Sequence, residues 1–131
     1  MLQPPKNAKV YDYPTSTMWF DENGILCSIS KKSPPQTMEE AKESIKKFVA
    51  LTGGKKVCML SDNTHSSPPS KEMRDFAAEI IPTLAKAIAI ISNSPVGKMA
   101  ANLFFSISKQ PYPVKMFNDE MEAKKWLKQY L

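Results

Sequence analysis

Apolar runs of four or five residues recur along the chain between amphipathic stretches, and this pattern predicts strands that alternate with helices. Val57 to Leu60 is continuously apolar and lies between two lysines and the polar tripeptide Ser61-Asp62-Asn63. A short run bounded in this way is typical of a strand that is covered on both faces. The same pattern recurs over Ala87 to Ile91, and Val114 to Phe117 is a short β-prone segment interrupted by one lysine. We therefore predict a strand in each of these three places.

The N-terminal part of the chain predicts a β-hairpin. Two β-prone segments flank Asn23-Gly24, and Asn-Gly is the strongest short-range hairpin signal because both of its residues tolerate positive φ. We predict the hairpin over Thr17–Ser30 and a further strand over Lys9–Tyr13. Pro14 is expected to end that first strand, because proline cannot donate a hydrogen bond to a sheet.

Four segments with apolar residues at helical spacing predict four main helices. Each follows a residue whose side chain can accept a hydrogen bond from a free N–H of the first turn. Thr37, with Glu40 three residues later, completes a capping box for the first helix. Gly53 is expected to end that helix, and Pro82 to end or kink the second. The other caps are Ser70, Ser94 before Pro95, and Asn118 or Asp119, and the third helix is predicted over Val96–Ile107.

The alternation of strands and helices is typical of the α/β class with a mixed, mostly parallel sheet. We predict a single domain over residues 8–131 and a flexible N-terminal arm over residues 1–7. Parallel strands are joined by right-handed crossovers. If every crossover moves in the same direction, the strand order is sequential and the main helices share one face of the sheet. The other face would then be exposed and apolar, which makes it a candidate dimer surface.

Composition places the chain among ordinary globular domains. Its 131 residues are 42% hydrophobic and 24% charged, which are typical values for such a domain. It has no apolar run near the ~20 residues that a membrane span needs, and its N-terminus has no apolar signal segment. We therefore expect a cytoplasmic protein without a transmembrane segment. The net charge of +5 comes from lysines that are spread along the chain, so we expect no nucleic-acid partner.

Reactive residue types are sparse in the sequence. Cys27 and Cys58 lie in apolar runs and are interpreted as reduced, buried thiols. The only histidine is His65, so we expect no metal site. A triad of Ser66, His65 and Asp62 is not favoured, because sequence neighbours rarely converge in the required geometry. We predict no catalytic residue, no cofactor and no enzymatic activity.

The loop after the central strand is the first candidate site. It is rich in hydroxyl groups and joins a predicted strand to a predicted helix. Ser70 is interpreted as a helix cap, although a phosphate there would also meet free N–H groups and a favourable helix dipole. The carboxylate of Asp62, at the start of the loop, is interpreted as a turn-forming group. The residues of this interaction or regulatory loop are Asp62, Thr64, Ser66, Ser67 and Ser70.

The third predicted helix is the second candidate site. Its apolar face is wide and rich in methionine and phenylalanine. This face either packs on the sheet or contributes to an apolar ligand pocket or an interface. Its residues are Met99, Leu103, Phe104 and Phe105, and Lys98 and Lys109 lie close to them in sequence.

Two segments, Ile88–Lys98 and Met116–Leu127, give the chain a resemblance to a known family. It resembles the STAS fold of bacterial anti-sigma-factor antagonists and, more closely, the STAS-like proteins that are related in fold to CRAL-TRIO lipid-binding domains. Regulatory STAS domains carry a phosphorylatable Ser or Thr where the central strand meets the next helix, which corresponds to Asp62–Ser70. Here Pro68-Pro69 replaces the glycine-containing turn, and the Asp-Ser-Ser-Gly pattern is missing, so we assign no kinase partner.

The resemblance implies a (βα)n STAS-like arrangement and a function without catalysis. We expect a regulatory or protein-interaction module that forms a homodimer and binds a regulatory protein. The alternative is a binder or carrier of a lipid or another apolar small molecule.

Overall fold

The computed structural model describes residues 2–65, 69–96, 98–99 and 110–131. Over these residues the chain forms six strands and three α-helices. A short 3₁₀ turn follows each of the last two helices, at Ile81–Thr83 and Lys128–Tyr130. The strands are β1 Tyr11–Asp12, β2 Ser16–Phe20, β3 Leu26–Ser30, β4 Val57–Asp62, β5 Ala85–Ile91 and β6 Val114–Phe117, and the helices are α1 Met38–Thr52, α2 Lys71–Ile80 and α3 Glu120–Leu127.

The strands form one mixed sheet in sequential order, from β1 at one edge to β6 at the other. β1, β2 and β3 pair antiparallel, whereas β3, β4, β5 and β6 run parallel. Leu60 in the middle of β4 lies between Cys27 of β3 and Ala89 of β5. The predicted α/β class, mixed sheet and single domain are confirmed.

The predicted hairpin is confirmed, and its turn depends on one carboxylate. Gly24 adopts a φ of 83°, a conformation that glycine reaches without steric cost. Oδ1 of Asp21 accepts hydrogen bonds from the backbone N–H groups of Asn23 and Ile25, each at 2.9 Å. The side chain therefore pairs backbone donors that the turn would otherwise leave without partners.

The ends of α1 follow the predicted signals. The N–H of Glu40 donates to Oγ1 of Thr37 at 3.1 Å, and the N–H of Thr37 donates to Oε1 of Glu40 at 3.0 Å. Hydrogen bonds from the backbone and the side chain of Thr37 to the Glu40 carboxyl lower its pKa. Gly53 ends the helix with a φ of 68°. Both predicted boundaries are therefore confirmed.

The helices lie on both faces of the sheet, so the prediction that the main helices share one face is wrong. α1 and α2 pack on one face, where Ile45 and Ile80 surround the buried Leu26. α3 packs on the other face, where Ala123 and Leu127 contact a cluster of strand residues. The crossover rule governs only helices that join two parallel strands. α3 follows the last strand of the sheet and is free to cover the face that the crossovers leave open.

The predicted exposed apolar sheet face is therefore absent from the described part of the chain. Alternate residues of β4 point to opposite faces, and Cys58 and Leu60 are buried on the side of α3. Leu2 is buried in the same cluster, so part of the segment predicted as a flexible arm contacts the sheet. The dimer surface expected on this face has no structural basis.

A buried ion pair joins the hairpin to α3. Nζ of Lys124 lies 3.4 Å from Oδ2 of Asp21 and 3.6 Å from Oε1 of Glu120. The side chain of Asp21 is only 1% exposed, whereas that of Lys124 is 25% exposed. Burial acts to lower the pKa of Lys124, but the neighbouring carboxylates of Glu120 and Asp21 contribute to an opposing effect that raises this pKa. The pair fixes α3 against the turn of the hairpin.

The described residues contain three α-helices rather than the four main helices predicted. Pro95, Val96, Lys98 and Met99 are helical, and the N–H of Lys98 donates to the carbonyl of Ser94 at 3.0 Å. The remainder of the helix predicted over Val96–Ile107 lies outside the described residues.

Both cysteines are expected to be unreactive in the folded protein. Burial raises the pKa of the Cys27 thiol to about 12 and also raises the pKa of Cys58. Because the thiolate is the nucleophile, iodoacetamide at about pH 8 should modify neither thiol in buffer and both in denaturant. Mass spectrometry over time measures this. Rapid modification of the native protein would contradict the burial of these side chains.

Candidate functional site

The candidate loop begins where β4 ends, at the carboxyl edge of the parallel strands. β5 ends beside it, since Asp62 pairs with Ile91 across the two strands. In open α/β sheets, ligands bind outside the carboxyl ends of the strands. The loops that follow β4 and β5 are therefore the parts of this fold most suited to recognition.

Asp62 is buried and organises the turn after β4. Its Oδ1 accepts hydrogen bonds from the backbone N–H of Thr64 at 2.9 Å and from Oγ1 of Thr64 at 2.6 Å. A buried carboxylate needs such donors, because it loses its hydration on folding. The predicted turn-forming role of Asp62 is confirmed.

Thr64 connects this turn to the loop after β5. Its Oγ1 accepts a hydrogen bond from the backbone N–H of Asn93 at 3.1 Å. Its carbonyl accepts one from Oγ of Ser94 at 2.7 Å. The threonine hydroxyl thus donates to Asp62 and accepts from Asn93, so it acts as both a hydrogen-bond donor and an acceptor within the fold.

The other side of the turn is bound to β3. The backbone N–H of His65 donates to Oγ of Ser30 at 3.2 Å. The hydroxyls of Ser28 and Ser61 lie 3.4 Å apart, and Oγ of Ser61 donates to Oδ1 of Asn63 at 2.8 Å. The segment Asp62–His65 is therefore held between the ends of both neighbouring strands.

The structure brings together only part of the predicted loop site. Asp62 and Thr64 are in direct contact, whereas Ser70 caps α2 several residues away, where its Oγ accepts from the N–H of Met73 at 3.2 Å. The predicted cap at Ser70 is thus confirmed. Ser66 and Ser67 lie outside the described residues.

The second candidate site lies mostly outside the described residues. Leu103, Phe104 and Phe105 cannot be placed within them, and Met99 is 49% exposed. Val96, three residues before Met99, is 52% exposed. Two exposed apolar side chains therefore follow directly after the hydrogen-bonded loop of β5.

The partners that fix the loop were not predicted from the sequence; they are Ser30, Asn93 and the hydroxyl of Ser94. Their positions in the sequence could have predicted these contacts. All three residues end or follow strands of the parallel part of the sheet, and the carboxyl ends of parallel strands meet at one edge. Polar residues in these positions are therefore expected to bond to one another.

A separate groove of about 230 Å³ lies between the β1–β2 turn, the segment before α1 and α1 itself. Its walls combine prolines with polar and charged side chains rather than the apolar face predicted for a lipid. They include Pro14, Pro34, Pro35, Glu40, Glu43 and Lys47.

Comparison with known protein families identifies the family to which the chain belongs. Residues 18–131 match the family described as a domain of unknown function, DUF7793. The chain belongs to this family. The DUF7793 match begins within β2 and includes all three helices and the whole hydrogen-bonded loop site, whereas Leu2 and β1 precede it.

Other comparisons add no named relative to the DUF7793 domain. A search of curated proteins and a search of solved structures each found no match. Among the described residues, no helix is long and apolar enough to cross a membrane. The same residues contain no group of three or more His, Cys, Asp or Glu side chains placed to hold a metal ion.

The cap of α2 gives a direct test of the role of Ser70. We expect Ser70→Ala to lower the free energy of unfolding by about 1 kcal/mol, because the N–H of Met73 loses its acceptor. Ser70→Asp should remain within about 0.5 kcal/mol of the wild type, since aspartate is an equally good cap. Urea denaturation followed by circular dichroism measures both. Equal losses in the two variants would contradict the capping role.

Proposed function

We propose that this chain is a non-enzymatic, STAS-like protein-interaction module that binds a regulatory protein through the surface at the carboxyl ends of β4 and β5. One observation carries the proposal: Asp62–His65 is hydrogen-bonded to the ends of both neighbouring strands. A surface that is already ordered loses less conformational entropy on binding. The polar groups of this turn thus serve to present a fixed surface.

Exposed side chains beside the turn supply the contacts. His65 is exposed, and Val96 and Met99 are about half exposed after the loop of β5. Methionine and other apolar side chains are favoured at the centre of protein interfaces, where they are surrounded by polar groups. We call His65, Val96 and Met99 the loop surface. Its mixed character suits a protein partner, including a second copy of the chain.

The experiment compares two double variants that each add two negative charges. Val96→Glu with Met99→Glu places these charges in the loop surface. Val10→Glu with Val49→Glu places them at two other exposed apolar positions, which are 42% and 39% exposed. All three proteins serve as bait for affinity capture from a lysate of the source cell, and light scattering after size exclusion measures their oligomeric state.

The proposal expects a binding partner, or a dimer, that the wild type and the Val10/Val49 variant retain and the Val96/Met99 variant loses. Circular dichroism establishes that both variants are folded. A partner that all three proteins retain equally would refute the loop surface. A monomeric wild type that retains nothing would refute the function.

Lipid carriage is the alternative proposal, and it depends on Leu103, Phe104 and Phe105, which lie outside the described residues. Native mass spectrometry of freshly purified protein tests it directly. A carrier should give a mass above that of the chain, which returns to the chain mass under denaturing conditions. A native mass equal to that of the chain alone would count against carriage.

A further inference from the structure

The outer face of α3 carries a stripe that the fold itself does not use. Met121, Lys125 and Lys128 are exposed and spaced by four and three residues, so they lie on one side of the helix. The helix continues as a 3₁₀ turn, in which residues three apart are eclipsed, so Leu131 extends the same line. Met121 is 81% exposed and Leu131 is 52% exposed. We call these four residues the basic stripe.

A row of aromatic side chains lies between α3 and the core cluster behind it. The rings of Phe117 and Trp126 are 5.5 Å apart, and those of Trp126 and Tyr130 are 5.1 Å apart. All three are half-buried against the core cluster behind α3. Nζ of Lys115 lies 5.4 Å from the ring centre of Phe117, which adds a third positive charge beside the aromatic row.

The positive charge of the basic stripe is not neutralised locally. Within the described part of the chain, Lys125 and Lys128 form no ion pair, whereas Lys124 binds Asp21 and Glu120 on the inner side. Two exposed acids lie on the helix outside the stripe, Asp119 at the N-cap and Glu122 on the flank. The four residues of the basic stripe include two lysines and no acidic side chain, so the stripe itself carries a net positive charge.

We propose that the basic stripe docks α3 flat on an anionic lipid membrane. Methionine and leucine can enter the boundary between headgroups and acyl chains. The lysine stems lie along the apolar layer and extend their charged ends to lipid phosphates. The inner side of α3 stays on the sheet, so binding is peripheral. This surface is separate from the loop surface and does not depend on the proposed function.

The test is co-sedimentation of the full chain with phosphatidylcholine vesicles that contain either no anionic lipid or about 30% phosphatidylglycerol. We expect binding to the anionic vesicles alone, and weaker binding at high salt, because salt screens the attraction. Lys125→Gln with Lys128→Gln should reduce the partition coefficient roughly 30-fold, since each lysine near an anionic surface contributes about fivefold.

The matched control makes the same change on another helix. Lys42 and Lys46 are exposed on α1, and Lys42→Gln with Lys46→Gln removes an equal charge. This variant should bind within about threefold of the wild type, because its lysines are far from the docked face. Met121→Ser with Leu131→Ser should also weaken binding, and that loss should persist at low salt.

Three outcomes would overturn the proposal: no binding to anionic vesicles, equal binding to neutral vesicles, or equal losses in the two lysine variants. A parallel titration with a single-stranded oligonucleotide and with polyglutamate identifies other anionic partners. Binding of either that depends on Lys125 and Lys128, without vesicle binding, would reassign the stripe to that partner.

Discussion

Trp19→Ala is expected to lower the free energy of unfolding by about 3–5 kcal/mol. The indole is 1% exposed and belongs to the core cluster between the sheet and α3. Its removal loses buried apolar area and leaves a cavity that the close-packed sheet cannot collapse to fill. Urea denaturation followed by far-ultraviolet circular dichroism measures the change.

The other tryptophan of the chain provides the control. Trp126 is half-buried at the margin of the same cluster, where it contacts Phe117 and Tyr130. Trp126→Ala removes the same side chain, but water already reaches part of it, so the loss should be about half as large. An equal or larger loss at position 126 would mean that the core does not centre on Trp19.

Asp21→Ala is expected to cost about 3 kcal/mol. The carboxylate accepts from the N–H groups of Asn23 and Ile25 and pairs with Lys124. Alanine removes all of these bonds and leaves the N–H of Ile25 buried without an acceptor. A hydrogen bond to a charged group contributes more than a neutral one, and an unpaired buried donor is costly. Thermal and urea unfolding of the variant measure the loss.

Two further variants separate the turn from the ion pair. Asp21→Asn keeps an oxygen acceptor for the backbone but removes the charge, so it should cost less than alanine. Lys124→Met removes the cation while Asp21 keeps both backbone donors. In a double-mutant cycle the coupling between positions 21 and 124 should be at least about 0.5 kcal/mol. Additive losses would show that the hydrogen bonds of the hairpin turn, rather than the ion pair with Lys124 of α3, account for the loss of stability.

Local signals predicted most elements because they act within a few residues. Asn23-Gly24 determined the hairpin, and the pair of Thr37 and Glu40 determined the start of α1, since both depend on backbone groups that are adjacent in sequence. Ser70 likewise caps α2 by a bond to a residue three positions away. The apolar runs located β4, β5 and β6 for the same reason, because their length and borders are local properties.

The candidate site was predicted less completely because its bonds join distant segments. Asp62 could be recognised as a turn residue from its place after β4. The bonds from Asn93 and Ser94 to Thr64 cross about thirty positions of sequence, and they exist only because β4 and β5 are neighbours. The ion pair of Asp21 with Lys124 is a second example, since no sequence pattern links a hairpin turn to the last helix.

The sequence by itself determined the α/β class, the hairpin, the caps and the apolar runs. Each of these depends on neighbouring residues and on the spacing of apolar residues along the chain. Only the tertiary structure decided that α3 covers the second face of the sheet, that Leu2 is buried there and that Thr64 joins two loops. The physical reason is that a terminal helix follows no crossover rule. Its position depends on which apolar surface the rest of the fold leaves uncovered, and that surface exists only once the sheet has formed.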